Sequence, residues 1–297
     1  MRVLVTGGAG FIGSNIVEKL LTEGIKVRVL DNFSTGKREN ILPFSGKIEL
    51  IEGDIRSYHI VREAVDNIDF VLHQAALPSV PRSIRDPITT NAVNIGGTLN
   101  ILNAARDAKI KRVIYVSSSS IYGDSEVLPK KENMMPNPLS PYAVSKSAGE
   151  KYCQIFLQIY GLETVCLRYF NVFGQRQDPT SQYSAVIPRF IKILLKDKAP
   201  TIYGDGEQSR DFTYVSNVVD ANILACTTAN AIGEVINIAC GERITLNNLA
   251  KALKNITGKN IEFKYSKERI GDVKHSQADI EKARKLLDYK PKIKVLE

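Results

Sequence analysis

A turn of the form Thr6-Gly7-Gly8-Ala9-Gly10-Phe11-Ile12-Gly13 follows directly on a short β-branched run and constrains this chain more than any other feature. Gly7, Gly10 and Gly13 recur at every third position, and Phe11, Ile12, Ile16, Val17, Leu20 and Leu21 then lay out the apolar face of a helix. Glycines at this spacing permit a tight turn, close approach of the backbone to a pyrophosphate, and close packing of the helix on the strand. The helix N-terminus stabilises the anion. Asp31 ends the second β-branched run, 18 residues after Gly13, where a carboxylate would meet the ribose hydroxyls of an adenosine. The turn therefore reads as a dinucleotide site holding Gly7, Gly10, Phe11, Ile12, Gly13 and Asp31. A carboxylate at position 31 repels a 2′-phosphate and favours NAD over NADP, while Lys37 and Arg38 nearby pull the other way.

The strand and helix alternation continues downstream. Short β-branched runs at Arg2 to Thr6, Lys26 to Asp31, Ile48 to Glu52, Asp69 to His73, Arg112 to Ser117 and Glu163 to Tyr169 alternate with segments of helical period. The latter are Phe11 to Glu23, His59 to Asn67, Asn91 to Ala108 and Pro141 to Tyr160, with Gly24 and Gly161 as stop signals. Strands joined by helical crossovers pair in parallel, so the pattern predicts an α/β fold, a Rossmann-type doubly wound parallel sheet over residues 1–170. Beyond Phe170 the pattern loosens into a helix near Ser184 to Lys196, a Gly204-Asp205-Gly206 turn, a strand into Val215 and a last helix near Asp279 to Asp288. Residues 171–297 read as a smaller C-terminal α/β substrate-binding lobe, with segments returning to the first domain and a cleft between the two.

Composition removes several function classes. The net charge is 40 − 32 = +8, but the cations are scattered and the densest cluster, Lys109, Lys111 and Arg112, is short, which argues against nucleic acid as a partner. The apolar start Val3-Leu4-Val5 is too short for a signal-peptide core and no later stretch approaches a membrane span, so a cytoplasmic protein with no membrane partner is expected. Cys153, Cys166, Cys226 and Cys240 lack Cys-x-x-Cys spacing, and His59, His73 and His275 lie far apart. Buried thiols and no metal site are the expectation.

A second constellation carries chemistry. Ser140-Pro141-Tyr142-Ala143-Val144-Ser145-Lys146 opens a helix with Ser140 at the N-cap and Pro141 at N1, which puts Tyr142 and Lys146 on one face. A tyrosine with a pKa of about 10 is a poor base near neutrality, but a neighbouring ammonium and a cationic nicotinamide both favour the phenolate. One strand away stands Ser117-Ser118-Ser119-Ser120. Asp54, after the third strand, suits either an acceptor for the adenine amino group or a cap for the next turn. His73-Gln74-Ala75-Ala76 ends the fourth strand with small residues, as a backbone close to the cofactor, or close packing alone, would require.

These strings, with Asn94-Ile95-Gly96-Gly97-Thr98, Leu167 to Gly174, Gly204-Asp205-Gly206 and Arg210-Asp211-Phe212, resemble the extended short-chain dehydrogenase/reductase family in its nucleotide-sugar epimerase branch. The likeness covers essentially the whole chain. It implies NAD as cofactor, with Asn32, Asp54, Ile55, Gln74, Ala75, Ala76, Asn94, Ser117, Tyr142, Lys146 and Tyr169 joining the glycine turn around it. Counting back from the Tyr122-Gly123 that ends the serine loop, the resemblance makes Ser118 catalytic beside Tyr142 and Lys146, with Ser119 and Ser120 as substrate contacts. It further implies a UDP-sugar substrate: Asn171, Arg210 and Arg269 on the diphosphate, Ala185, Val186 and Ile187 around uridine, and Ser79, Tyr203, Asp272 and Ser276 near the sugar or nucleotide.

Dehydratases that this chain resembles carry an Asp-Glu pair before the Tyr-Gly, and decarboxylases a Glu, where this chain has Ser119-Ser120-Ile121. The implied reaction is oxidation at sugar C4, rotation of the 4-keto sugar and reduction on its other face, a 4-epimerisation. Uronate epimerases, the alternative, resemble Thr-Val-Tyr-Gly where this chain has Asn171-Val172-Phe173-Gly174. A catalytically silent dinucleotide sensor is the alternative outside enzymes, and such proteins usually lack the Tyr-Lys pair. Asp272-Val273-Lys274-His275-Ser276 resembles bacterial-type UDP-N-acetylglucosamine 4-epimerases, in which a small residue at Ser276 leaves room for an N-acetyl group. Family members are commonly homodimers joined through the Tyr142 helix and the one before it. Ile155, Phe156 and Ile159 would suit that contact, or would face their own sheet.

Overall fold

The computed structural model describes residues 1–179, 186–268 and 273–297. Six strands arise where the β-branched runs stand: β1 (Arg2–Thr6), β2 (Lys26–Asp31), β3 (Ile48–Glu52), β4 (Phe70–His73), β5 (Arg112–Ser118) and β6 (Glu163–Tyr169). Short strands β7 (Val172–Phe173), β8 (Thr201–Tyr203), β9 (Ser209–Arg210) and β10 (Thr213–Tyr214) follow, then β11 (Val235–Ile238), β12 (Ile244–Thr245) and β13 (Lys264–Ser266). Seven of them form one sheet in the order β11-β6-β5-β4-β1-β2-β3, every pairing parallel. Helices cover both faces. Along β1, Val3 and Val5 face one apolar layer and Leu4 the other, and the same alternation recurs at Ile114 and Val116 against Val113 and Tyr115 in β5. Burial on both faces is why these strands read as continuous apolar runs.

The second half of the chain does not stand apart as one block. The Val215–Thr227 helix, β11 and the Glu281–Leu287 helix add Val218, Ile236 and Leu287 to the layer that holds the Phe11–Thr22 helix. A separate core of Ile187, Phe190, Ile202, Phe212, Leu249 and Phe263 belongs to the remaining segments. All four cysteines are buried and free. No helix among the described residues is long and apolar enough to cross a membrane.

Two local departures bear on the site. The segment expected as one helix over residues 91–108 starts as a π-helical turn, Ala92–Gly97, before the α-helix Thr98–Asp107. The wide turn contains Gly96-Gly97, where helix propensity is low, and a Cβ at Gly97 would come within 2.5 Å of Ile55 Cδ1. The Pro141–Tyr160 helix is as expected, with Ser140 Oγ accepting from Ala143 N at 3.1 Å and Gly161 ending it at φ +69°. It lies close on β5, since a Cβ at Gly149 would stand 2.1 Å from the Tyr115 hydroxyl.

The same helix is pinned to β6 by an ion pair in which both side chains are only 4% exposed. Arg168 donates through Nε and Nη2 to the two Glu150 oxygens at 2.8 and 2.7 Å. Removing one member leaves the other charged and unpaired in the interior. Glu150→Ala is therefore expected to lower unfolding free energy by about 3–5 kcal/mol in denaturant titrations, and a loss below about 1 kcal/mol, the range of an exposed pair, would show that the pair does not hold the helix.

Candidate active site

The strand order reverses between β1 and β4, and there the carboxyl ends of the strands open the crevice in which a doubly wound sheet takes a ligand. Gly7 leaves β1 at φ +69°, and a Cβ on it would lie 2.8 Å from Ala75 N; a Cβ on Gly13 would lie 2.1 Å from Gly7 O. The Phe11–Thr22 helix begins at Gly10 with neither a side-chain cap nor an acidic residue in its first turn. The first N–H groups around Phe11 and Ile12 are thus left for an anion.

Buried Asp31 accepts from Ala9 N at 2.9 Å through Oδ2 and from Phe33 N at 2.8 Å through Oδ1. Burial pushes its carboxyl up, and these two bonds oppose the shift. Two of a carboxylate's roughly four acceptor positions stay available for ribose hydroxyls. The cations that would favour a 2′-phosphate are engaged elsewhere, Lys37 with Asp178 at 3.0 Å and Arg38 with Glu52 at 2.6 Å. Gln74, Ala75 and Ala76 line the crevice half-buried, and the Ser117 hydroxyl at the end of β5 is buried with no partner. The glycine cradle, the uncapped helix, Asp31 and the unpartnered Ser117 hydroxyl together fit a dinucleotide.

Other residues expected around the cofactor also make bonds within the protein. Asp54 accepts four bonds of 2.8–3.0 Å, from Arg56 N, Nε and Nη2 and from Asn32 Nδ2. That fills a carboxylate's capacity, and the Arg56 bonds hold its pKa down at about 2. The turn-capping role is thereby occupied, and an adenine amino group would have to displace a donor. Ile55 is buried beneath Gly97. Asn94 is buried too, its Oδ1 accepting from Leu77 N at 2.8 Å and its Nδ2 donating to Ser145 Oγ at 3.0 Å. Gln74, Tyr169 and Asn222 close a ring: Asn222 Nδ2 donates to the Tyr169 hydroxyl at 2.6 Å, that hydroxyl to Gln74 Oε1 at 3.4 Å, and Gln74 Nε2 to Asn222 Oδ1 at 3.0 Å. Sequence reasoning missed Asn222. A lone amide between Val218, Val219, Ala221 and Ile223 was the available signal, since a polar group on such a helix needs a partner.

The tyrosine, serine and lysine come together at the ends of β5 and the Pro141–Tyr160 helix. The Tyr142 phenol has the Ser118 side chain close enough to favour its ionised form. Ser118 Oγ also accepts from Ser120 N at 3.2 Å across the tight turn Ser119–Tyr122, and Ser120 Oγ is buried without a partner. Lys146 departs from expectation. Its Nζ donates to Val116 O at 2.8 Å and lies 5.1 Å from the centre of the Tyr115 ring. Burial pulls this ammonium down to about 8 and pushes the Tyr142 phenol up, with the Ser118 bond opposing. In the absence of a ligand, the Lys146 ammonium is directed at the Val116 carbonyl and is not among the influences that favour the Tyr142 phenolate.

Across the crevice, a cleft of about 200 Å³ is lined by Asn171, Val172, Phe173, Val186, Ile187, Arg210, Phe212 and Leu246. Four of these carry sequence expectations. Phe173 and Phe212 sat inside the quoted strings without a role, and no local signal marked Leu246. Arg210 Nη1 donates to the carbonyls of Ser209 and Lys274 at 3.0 and 3.1 Å, which fixes the plane of the guanidinium. Ser276 N donates to Ser209 O at 3.0 Å, which ties its segment to β9. Tyr203 lies outside the cleft lining, its ring 5.9 Å from the Arg189 guanidinium. Ser79 caps the Val80–Arg85 helix, accepting from Arg82 N at 3.1 Å. Ala185, Arg269 and Asp272 fall outside the described residues.

Fold and site together define an NAD-dependent enzyme of the extended short-chain dehydrogenase/reductase class. The chain belongs to the NAD dependent epimerase/dehydratase family, whose model matches residues 3–239. A putative UDP-glucose 4-epimerase of Methanocaldococcus jannaschii is 41% identical over 99% of this chain and 95% of its own length. Two solved structures superpose closely. The UDP-N-acetylglucosamine 4-epimerase of Methanobrevibacter ruminantium, in complex with UDP-N-acetylmuramic acid, gives a TM-score of 0.94 at 44% identity over 98% of this chain and 92% of that one. The UDP-glucose 4-epimerase of Thermotoga maritima, with UDP-glucose, gives 0.96 at 39% identity over 100% and 96%.

Lys146 supplies a test of this geometry in the protein free of cofactor. Its folded pKa, about 8, lies below the ordinary 10.5, so the unfolded chain binds the extra proton between those values and stability rises with pH across that window. Lys146→Met is expected to abolish turnover yet raise the melting temperature at pH 7, an advantage of at most about 3 kcal/mol that fades toward pH 10. A stability difference that stays constant from pH 7 to pH 10 would mean that the ammonium is not desolvated.

Proposed function

We propose that this chain is an NAD-dependent UDP-hexose 4-epimerase, with UDP-N-acetylglucosamine and UDP-N-acetylgalactosamine as its main pair and UDP-glucose and UDP-galactose as weaker substrates. The observation that carries the reading is the nearness of Tyr142 to Ser118 at the end of β5, where Ser118 pairs with Tyr169, two residues before the Asn171 that lines a cleft with Arg210. NAD, when bound, accepts a hydride from sugar C4 and returns it. Tyr142 takes the C4 hydroxyl proton, and Ser118 holds that oxygen through its own hydroxyl. Asn171 and Arg210 grip the diphosphate, with Val186 and Ile187 against the uridine, so the nucleotide stays while the 4-keto sugar turns over. Tyr142 then returns the proton to the C4 oxygen from the other side. Ser119, Ser120 and Ile121 carry no carboxyl for the proton transfers of elimination or decarboxylation.

The acetylated pair is favoured by the small side chain of Ser276 and by the resemblance of its segment to N-acetylglucosamine epimerases. We place the enzyme in the cytoplasm as a homodimer through the Thr98–Asp107 and Pro141–Tyr160 helices. There Ile155 and Ile159 are exposed, Ile155 lining a groove with Leu99, Asn103, Tyr152 and Tyr160, and Phe156, buried in the core beneath, forms part of the same groove wall.

Purified protein incubated with UDP-N-acetylglucosamine and NAD should form UDP-N-acetylgalactosamine, seen by NMR of the anomeric protons, without net NADH. Tyr142→Phe should lower kcat by about 10²–10⁴-fold, the usual weight of a general base. Bound NAD with no sugar interconversion would defeat the epimerase reading, net NADH would indicate a dehydrogenase, and turnover of UDP-glucuronate alone would indicate a uronate epimerase. Ser276→Tyr should remove activity on acetylated sugars selectively, and its retention would defeat the role given to Ser276.

A further inference from the structure

Proton counting through the buried core points to a connection between the two halves of the site. His73, 2% exposed at the end of β4, has Nδ1 2.7 Å from Thr6 Oγ1 and Nε2 3.0 Å from Thr98 Oγ1. Its partners decide which nitrogen carries the hydrogen. The Thr98 hydroxyl donates its single proton to the Asn94 carbonyl oxygen at 2.6 Å, an atom that can only accept. Thr98 Oγ1 can therefore only accept from the ring, which puts the hydrogen on Nε2. Nδ1 of the neutral ring is then an acceptor, and the Thr6 hydroxyl donates to it while Thr6 Oγ1 accepts from Ala75 N at 3.2 Å. Burial and the nearby Lys146 charge favour the neutral ring, and the Tyr115 ring, centred 6.0 Å away, packs beside it.

The chain continues beyond Thr98 through the side chain of Asn94. Asn94 Nδ2 donates to Ser145 Oγ at 3.0 Å, and Ser145 donates to the Tyr142 carbonyl at 2.7 Å. Thr6, His73, Thr98, Asn94 and Ser145 are each at most 2% exposed. One end of this chain, Ala75, is the residue against which Gly7 turns, and the other is the first turn of the Tyr142 helix. A partly satisfied polar network in so dry a place would be costly, while a fully satisfied one fixes the geometry of everything it touches.

We propose that His73, held as the neutral Nε2–H tautomer, is a positioning residue that locks the dinucleotide turn and the Tyr142 helix into one hydrogen-bonded chain, so that the seat of the cofactor sets the seat of the base. The Nδ1–H tautomer would leave His73 Nε2 and Thr98 Oγ1 facing each other as two acceptors and break the chain at its middle. The kinetic consequence rests on the reaction proposed above; the tautomer does not.

Long-range ¹H–¹⁵N NMR of the NAD-loaded protein tests the tautomer, with His59→Gln and His275→Gln assigning the other two imidazoles. His73 should show hydrogen on Nε2 and none on Nδ1, unchanged from pH 8 to pH 5, and an Nδ1–H ring or titration in that range would overturn the proposal. Thr98→Val removes the acceptor at nearly constant shape, and Thr98→Ser keeps it. The valine variant should lose about tenfold in kcat, with KM for the nucleotide sugar within about twofold of wild type, and the serine variant should recover most of kcat. A valine variant that melts earlier but keeps its kcat per folded molecule would reduce the chain to a purely structural feature and overturn the positioning role. Ser145→Ala cuts the chain at its other end and should lower kcat likewise, which keeps the kinetic test decisive should Thr98→Val fail to fold. If no nucleotide sugar turns over at all, the proposed reaction falls, and the NMR result still decides the tautomer.

Discussion

The contact between the first glycine turn and the end of β4 is the constraint on which the rest of the structure depends. No side chain fits at Gly7, where a Cβ would meet Ala75 N at 2.8 Å, or at Gly13, where it would meet Gly7 O at 2.1 Å. Because β1 lies between β2 and β4, this contact sits where the sheet reverses its winding, and the crevice opens there. The neighbouring strands deliver their last residues to the same edge: Asp31 from β2, Gln74 after β4, Ser118 from β5 and Tyr169 from β6. Parallel pairing in continuous register makes that delivery automatic, since Thr6 pairs with His73, His73 with Tyr115, and Ser118 with Tyr169.

Charge is handled differently on the two sides of the catalytic helix. Toward β6, the Glu150 and Arg168 pair is fully internal and its charges cancel. Toward β5, Lys146 donates to the Val116 carbonyl and stands over the Tyr115 ring, so its ammonium is held at a cost that burial makes visible as a lowered pKa. A residue retained in that state is in the condition that active sites, more than structural cores, tend to show. The same low-dielectric surroundings push Tyr142 the wrong way for a base, so the phenolate is favoured only when positive charge arrives with a ligand. On the proposed reaction, proton abstraction by Tyr142 would thereby depend on cofactor occupancy.

The sheet was nearly all legible in the sequence because both of its faces are buried, which turns each strand into an apolar run with clear ends. The glycine turn and the Tyr142 helix were legible for a related reason: each has a local requirement, tight contact or N-capping, that few residue types meet. What escaped was what depends on partners distant in the chain. The π-turn at Ala92–Gly97 carries Asn94, whose side chain reaches Leu77 and Ser145. The occupation of Asp54 needs Asn32 and Arg56 around it, and the outward or inward facing of Ile155 and Phe156 is a matter of helix phase against β6. Leu246 enters the cleft only because β12 pairs with β9, a pairing with no periodic trace in so short a strand.

Two cores, rather than two consecutive halves of the chain, build the two sides of the site. The cleft bearing Asn171, Ile187 and Arg210 is built on the smaller core, with Phe212 and Leu246 at once in that core and in the cleft wall. Tyr142 and Ser118 belong to the main sheet. Asp211, fully buried directly after Arg210, joins the two: it accepts from Cys240 N and Gly241 N, just past β11 of the main sheet, and from Ala278 N, two residues after Ser276. The groups that would grip a diphosphate are therefore fixed relative to the groups that would exchange a proton. On the proposed reaction, a nucleotide anchored on the smaller core would leave the 4-keto ring free to present either face to a single base on the main sheet.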